Sequence, residues 1–503
     1  MKTDSSSSMA RATLRPVMLA GTGSDVGKSL LVAALCRIFK QDGYHPAPFK
    51  AQNMALNSFV TPEGLEIGRA QAMQAEAAVI PCHTDMNPLL LKPSSDQICQ
   101  VILNGRPIGH QSAGAYFRRE GRERFRQAAC EAYDRLASRY SPIVLEGAGS
   151  ISEINLREVD LVNLPMARHA DATVLLVADI DRGGVFASVY GSVMLQTPED
   201  RARIGGILIN KFRGDIRLFE SGVKQLEALC HIPVLGVIPY LHDLHLDEED
   251  SLAMAVKHRQ AQAGKVNVAV VLLRHLSNFT DFQALERDGR VHLYYTNQTD
   301  ELLKADIIVV PGSKNTMDDL CELRRNGAAQ ALLQAYQNGA TLLGICGGYQ
   351  LMGLEVNDPE GVEGNLPCLP GLGLLPVVTT MQDEKVTRRV HFHFRDCPAV
   401  CEGYEIHMGH TVPAEGYSVE PLTQLEDGTS DGCWMNSRCM GTYLHGILDN
   451  PAVIDCLLEP YVGRSQHPVI DSATYKEAQY NKLAEEVRKH LNLPLLYQIL
   501  QSS

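Results

Sequence analysis

Two short stretches of this 503-residue chain carry residue types that could make and break bonds. In "GTGSDVGKS", Gly21 to Ser29, glycines are interspersed with small polar residues and the run ends in Gly-Lys-Ser. Glycines let successive backbone N–H groups turn toward a phosphate, and the N-terminus of a following helix adds a favourable dipole. Gly21, Thr22 and Gly27 would shape that cradle, Lys28 would reach the β- and γ-phosphates of ATP, and Ser29 would ligate Mg²⁺. Five residues separate Gly21 from Gly27, where a standard phosphate loop has four. In "LLGICGGYQLMG", Leu342 to Gly353, one cysteine ends an apolar run and meets a glycine pair. Such a strand-to-helix turn would expose Cys346 as a nucleophile, with the following helix N-terminus favouring the thiolate. A free thiol, with a pKa of about 8.5, still needs a base. His445 in "GTYLHGIL", at the end of another apolar run, supplies one.

The elements around these residues alternate. "RPVMLA", "SPIVLEGAGS", "ATVLLVADID", "IGGILINKF" and "IPVLGVIPYL" are short apolar runs separated by helical patterns, which predicts βα units on a parallel sheet. The alternation restarts with "VNVAVVLL", the helical "NFTDFQALERDG", "RVHLYYT", "ADIIVVPGSKNT" and "ATLLGIC", and then becomes strand-rich. The fold class expected is α/β in two domains. Residues 1–15 read as a disordered tail, 16–250 as the phosphate-loop domain, 251–265 as a polar linker, 266–460 as the second α/β domain and 461–503 as a C-terminal helical segment. No run of about 18 apolar residues exists, so no membrane span is expected. Thirteen cysteines scattered without a framework fit reduced thiols in the cytoplasm. The net charge, 46 minus 59 or -13, argues against nucleic acid as a partner. The oligomeric state stays open, a homo-oligomer included.

The longer phosphate loop resembles that of dethiobiotin synthetase and its relatives, which activate a carboxylate with ATP. That resemblance implies a metal-ligating glutamate at a strand end, Glu146 in "VLEGAGS", and an adenine contact from Asn210 in "LINKFRGD". "GICGGYQ" resembles the Gly-x-Cys-x-Gly-x-Gln motif of class I glutamine amidotransferases, and "VVPGSKNT" resembles their oxyanion turn. The resemblance implies that Cys346 attacks the side-chain amide of L-glutamine and releases ammonia. Backbone N–H groups at Gly312, Ser313 and Gly348 would face the developing oxyanion. One departure stands out. Those enzymes usually read His-x-Glu, and here the third position is Ile447. Either a Cys-His dyad suffices or another carboxylate substitutes, with Glu405 in "GYEIHMG" the candidate. His391, His393 and His407 do not call for a metal, because "HFHF" follows strand alternation.

From about residue 16 to 490 the chain resembles the cobyric acid synthase family. The matching motifs, in order, are "FKAQNMALNS", "EIGRAQAMQAEAA", "MNPLLLKP", "VADIDRGGVFAS", "NKFRGD", "LDEEDS" and "GYEIHMG". The resemblance implies amidation of the b, d, e and g carboxylates of adenosylcobyrinic acid a,c-diamide, a corrinoid, to give adenosylcobyric acid. ATP and Mg²⁺ would serve the activation and L-glutamine would supply the nitrogen. A substrate with several carboxylates needs local cations on an acidic protein. Lys50, Lys92, Arg182 and Arg213 lie in the matched motifs, with Asn53 beside Lys50, and Arg157 lies in the same half of the chain. Asp179 and Asp181 could serve the metal or cap a turn. Three other readings stay open: a cobyrinic acid a,c-diamide synthase, a cell-wall amidotransferase, and a partitioning-type ATPase whose phosphate loop is a switch.

Overall fold

A computed structural model describes residues 13–93, 98–112, 119–242, 244, 246, 257–364, 366–462 and 472–501. The chain folds into two α/β domains, each around its own apolar core. The first is built on a six-stranded parallel sheet. Its spatial order is Val234–Pro239, Ile204–Phe212, Thr173–Asp179, Val17–Gly21, Ile143–Glu146 and Ala47–Phe49. The four central strands are almost wholly buried, as near-continuous Val, Ile and Leu runs require when helices cover both faces. A smaller four-stranded sheet (Gln52–Met54, Leu89–Pro93, Ile98–Leu103 and Arg106–Ser112) and a hairpin (Ser58–Val60 with Glu66–Gly68) extend this domain toward the second.

The second domain has its own sheet, in the order Val291–Thr296, Val266–Val271, Ile307–Val310, Thr341–Ile345, Cys439–Thr442 and Cys433–Asn436. All neighbours are parallel except the last pair. The strand-rich stretch after Cys346 becomes a long hairpin, Val377–Phe394 with Val400–Pro413. That hairpin reaches the first domain, where Arg389 Nε donates to Val60 O at 2.7 Å and Phe59 packs edge-on against Tyr404.

The chain then returns to the first domain. Helices Ser472–His490 and Leu493–Gln501 place Leu483, Val487, Leu496 and Leu500 in the first core. Arg37 holds Glu477, and Arg488 holds Asp42. The C-terminal helical segment is thus part of the phosphate-loop domain, closing against its edge strand through Asn492 N–H to Leu235 O at 2.7 Å. Of the expected N-terminal tail, residues 1–12 lie outside the described residues. Leu14 is buried and Arg15 N–H donates to Leu500 O, so residues 13–15 belong to the fold. Of the expected linker, 251–256 lies outside the described residues. His258 O accepts from Tyr295 N–H and Ala261 N–H donates to Glu301, so 257–265 packs on the second domain. Among the described residues no helix is long and apolar enough to cross a membrane.

Candidate functional site

In the first sheet, Gly21, Glu146, Asp179 and Asn210 all stand at or near the carboxyl ends of neighbouring strands, where open parallel sheets place ligands. Residues 22–27 turn over that edge into helix Lys28–Gln41, with Gly27 left-handed at φ 90°. Lys28 Nζ lies across the loop, 3.0 Å from both Gly23 O and Gly149 O. A Cβ at Gly21 would stand 2.7 Å from that ammonium, so the side-chain-free position is what lets the lysine through. Thr22 is pinned by its N–H to Val177 O at 2.9 Å. Asn210 Nδ2 donates to Val26 O at 2.8 Å, so this amide braces the loop backbone while lining the same cleft of about 640 Å³.

Glu146 is the hub. Its carboxylate accepts from Ser29 Oγ at 2.8 Å, Lys50 Nζ at 2.8 Å and Gln74 Nε2 at 2.6 Å. Burial alone would raise its carboxyl, but the Lys50 ammonium and these donors outweigh that and hold it below the ordinary range. Ser29 hydroxyl and Glu146 carboxylate therefore converge beside Lys28 as hard oxygen donors, of the type that suits a divalent cation. Asn53 lines the same cleft and donates to Gln71 at 3.0 Å. Arg182 is exposed at the rim and paired with Asp25 and Asp179. Arg213 pairs with Asp181 and covers the Tyr240 ring, while Arg157 turns to Leu195 O. Lys92 is not in this cleft.

The second site sits at the carboxyl edge of the second sheet. Cys346 follows strand Thr341–Ile345 with φ 52° and ψ −109°, a strained conformation that a following helix, Gly347–Met352, continues from. The two glycines are steric requirements. A Cβ on Gly347 would sit 2.6 Å from Ser313 N, and one on Gly348 1.8 Å from Val310 O. The turn at Gly312 and Ser313 thus lies directly against the elbow, and a Cβ on Gly312 would touch His445 Cε1 at 3.1 Å. On one side the His445 imidazole stands beside the Cys346 sulfur, whose thiol donates to Ile406 O at 3.6 Å. On the other, Nδ1 meets Asp281 Oδ2 at 2.7 Å, with all three residues buried. Burial would lower the histidine's pKa. The Asp281 carboxylate and the Cys346 sulfur outweigh it and push the imidazole up to about 10. The cleft in front of Cys346 is lined by Lys314, Glu363 and Lys385, and by Lys92 from the first domain.

The third member is Asp281 and not the Glu405 expected from the sequence. Glu405 does not reach His445. It pairs with Arg388 and stands 3.9 Å from His407 Nε2. Asp281 takes the place expected of it, from the loop after the first strand of the domain rather than from beside the histidine. The same carboxylate also accepts Gly446 N–H at 3.1 Å, so it orients the ring and the turn that carries it. The only local trace of it in the sequence is an aspartate between two phenylalanines in "NFTDF", ten residues after the strand Val266–Val271. His407 stacks on Tyr443 with 3.7 Å between ring centroids.

Comparison with known proteins agrees with both halves. Residues 17–253 match the CobQ/CobB/MinD/ParA nucleotide binding domain, and residues 267–453 match the CobB/CobQ-like glutamine amidotransferase domain. A cobyric acid synthase of Phocaeicola vulgatus is 71% identical over 98% of this chain and 100% of its own. The Bacteroides fragilis enzyme of that name is 69% identical over 97% and 98%, and the Parabacteroides distasonis one 54% identical over 97% and 99%. The chain belongs to the cobyric acid synthase family, glutamine-hydrolysing ligases that pair a nucleotide-binding domain with a glutamine amidotransferase domain.

Proposed function

We propose that the chain converts adenosylcobyrinic acid a,c-diamide into adenosylcobyric acid by amidating the b, d, e and g carboxylates, with ATP as activator and L-glutamine as nitrogen donor. The observation that carries this reading is that the nucleotide-binding domain helps to wall the glutaminase cleft. Lys92, from the nucleotide-binding domain, lines the cleft in front of Cys346. A partitioning switch would have no use for that contact.

In the second domain the Cys346 thiolate attacks the amide carbon of glutamine, and Ser313 and Gly348 N–H groups receive the oxyanion. Lys314 and Glu363, a basic and an acidic side chain in the same cleft, which burial pulls down and pushes up respectively to about 7, suit the carboxylate and ammonium of the free amino acid, whose charges would restore theirs. The His445 imidazolium gives its proton to the departing nitrogen, so ammonia leaves and a glutamyl thioester remains. His445 then takes a proton from water, which displaces the thiolate and frees glutamate. In the first domain a substrate carboxylate oxygen attacks the γ-phosphoryl group and ADP leaves. Ammonia attacks the acyl phosphate, and inorganic phosphate leaves with the amide formed. Lys28 and the loop N–H groups hold the transferring phosphoryl in place, with Asn210 toward the base. Ser29 and Glu146 would hold Mg²⁺, which supplies neutralisation of phosphate charge. Lys50 and Asn53, which line the cleft, and Arg182, exposed beside Asp25, would receive the substrate carboxylates. The described cysteines are all free thiols, in keeping with a reducing, cytoplasmic setting.

Mass spectrometry of corrinoid products formed with ATP, Mg²⁺ and glutamine tests the reading. Four successive exchanges of OH for NH₂ on the a,c-diamide are expected. Amidation confined to the a and c positions of cobyrinic acid would assign the chain to the other corrinoid amidation. Cys346→Ser should lose glutamine-dependent product and regain it with ammonia at high pH. Lys28→Ala should lose product with either donor, and amidation of that variant with ammonia would overturn the ATP assignment.

A further inference from the structure

The loop that carries Asp281 is held from outside its own domain. Asn278, three residues earlier, is buried and left-handed at φ 53°. Its Oδ1 accepts the backbone N–H of Ser58 at 3.0 Å, and its backbone carbonyl accepts Asp281 N–H at 3.0 Å. Ser58 opens a strand of the first domain's hairpin and is itself fixed, its hydroxyl accepting from Lys92 Nζ at 2.8 Å. That hairpin runs directly into helix Arg69–Ala77, whose Gln74 donates to Glu146 and to Ser29 O. Directional contacts, joined by the continuous hairpin-to-helix segment, thus link Glu146 at the nucleotide site to the aspartate that orients His445.

We propose that Asn278 is a positioning residue for glutamine hydrolysis. It transmits the hold of Ser58 to Asp281, so the His445 imidazole is correctly set only while the nucleotide-binding domain grips this loop. The proposal rests on the Cys346–His445–Asp281 reading above. Asparagine tolerates the left-handed backbone, and its side chain is the one that can reach across to a backbone donor. A small displacement there is a displacement of the reacting groups, which costs rate steeply.

The test uses the full-length protein. Asn278→Gly keeps the left-handed backbone and removes the cross-domain acceptor, together with a side chain that lines the glutaminase cleft. Glutamate release should fall roughly 10- to 100-fold, while amidation with ammonia stays near the parent's. Asn278→Asp, which restores an acceptor oxygen, should recover most of the glutamine-dependent rate. Equal loss with both donors would show a merely structural role and overturn the proposal, as would unchanged glutamate release. If Cys346→Ser also hydrolysed glutamine normally, the triad reading itself would fall. Should Asn278→Gly not fold, amide hydrogen exchange on the parent decides. Slow exchange at Ser58 N–H is expected, and exchange at the rate of an open loop would overturn the bond on which the proposal stands.

Discussion

At the scale of single residues, the balance of forces on His445 sets the chemistry. A fully buried imidazole would ordinarily shed its proton, yet the Asp281 carboxylate keeps it charged to about pH 10. A raised folded pKa means that this ion pair stabilises the fold fully below the unfolded value of about 6.5 and loses that contribution as pH rises toward 10. Asp281→Asn should therefore do two things. Glutamate release should drop by roughly 10²–10⁴-fold, the range for removing a histidine-orienting carboxylate. The alkaline limb of its pH profile should also move to lower pH, because the imidazolium has lost its partner. A pH–rate profile of glutamate release with ammonia-dependent amidation as control checks both. Glu405→Gln, by contrast, breaks an ion pair with Arg388 on the strand hairpin and should leave the alkaline limb where it is. A downward shift of that limb in Glu405→Gln would return the third-member role to Glu405.

At the scale of elements, the strand ends do the positioning, and they were the legible part of the sequence. Apolar runs such as "ATLLGIC" and "SPIVLEG" marked parallel strands, and the residues just past them (Cys346, Glu146 and the Gly312–Ser313 turn) are where the structure gathers the chemistry. What pattern reading missed depends on contacts distant in sequence. The single helix expected of "NFTDFQALERDG" is instead a 3₁₀ turn, Phe279–Phe282, followed by a short helix, Gln283–Arg287. That break is what points Asp281 at a histidine 164 positions later in the chain. Likewise, no local pattern says that the last two helices return to the first core. The glycines were legible as a motif, and the structure supplies their reason. Gly348→Ala would drive a methyl group into Val310 O, forcing the elbow away from the oxyanion turn. Its glutamine-dependent rate should fall far more than its ammonia-dependent rate. Steady-state rates with each nitrogen donor, on protein shown folded by thermal unfolding, make the comparison. Equal rates would mean that the elbow tolerates a Cβ and that the close packing has no catalytic consequence.

At the scale of the whole molecule, the two domains meet over buried charge. Glu66 on the first domain's hairpin is enclosed between Lys92 of its own domain and Lys385 of the long hairpin from the second. Burial would raise the Glu66 carboxyl. The two ammonium groups outweigh it and hold it well below the usual carboxylate range. Lys385 is pulled down from its ordinary value, chiefly by burial, with Glu66 opposing the shift. The depressed carboxylate stabilises the interface fully above its unfolded value of about 4.3, and that contribution erodes as pH falls below it. Such a cluster is a weak source of net stability when intact, because desolvation offsets the attraction, but removing its centre leaves like charges buried together. Glu66→Gln should therefore cost about 3–5 kcal/mol. Lys385→Met in the same chain should return a large part of it, because Lys92 keeps Ser58 Oγ as partner and one fewer cation is left buried without Glu66. A double-mutant cycle in denaturant unfolding measures this, with a coupling energy of about 1–3 kcal/mol expected for groups in contact. Activity follows the same contact. Lys385 and Lys92 both line the glutaminase cleft, so Glu66→Gln should depress glutamate release as well as stability, and the double variant should recover stability more than activity. Additive losses would mean that the charges do not interact across the domain boundary. The joint between the domains would then rest on apolar contacts such as Phe59 with Tyr404, and acid should leave it intact.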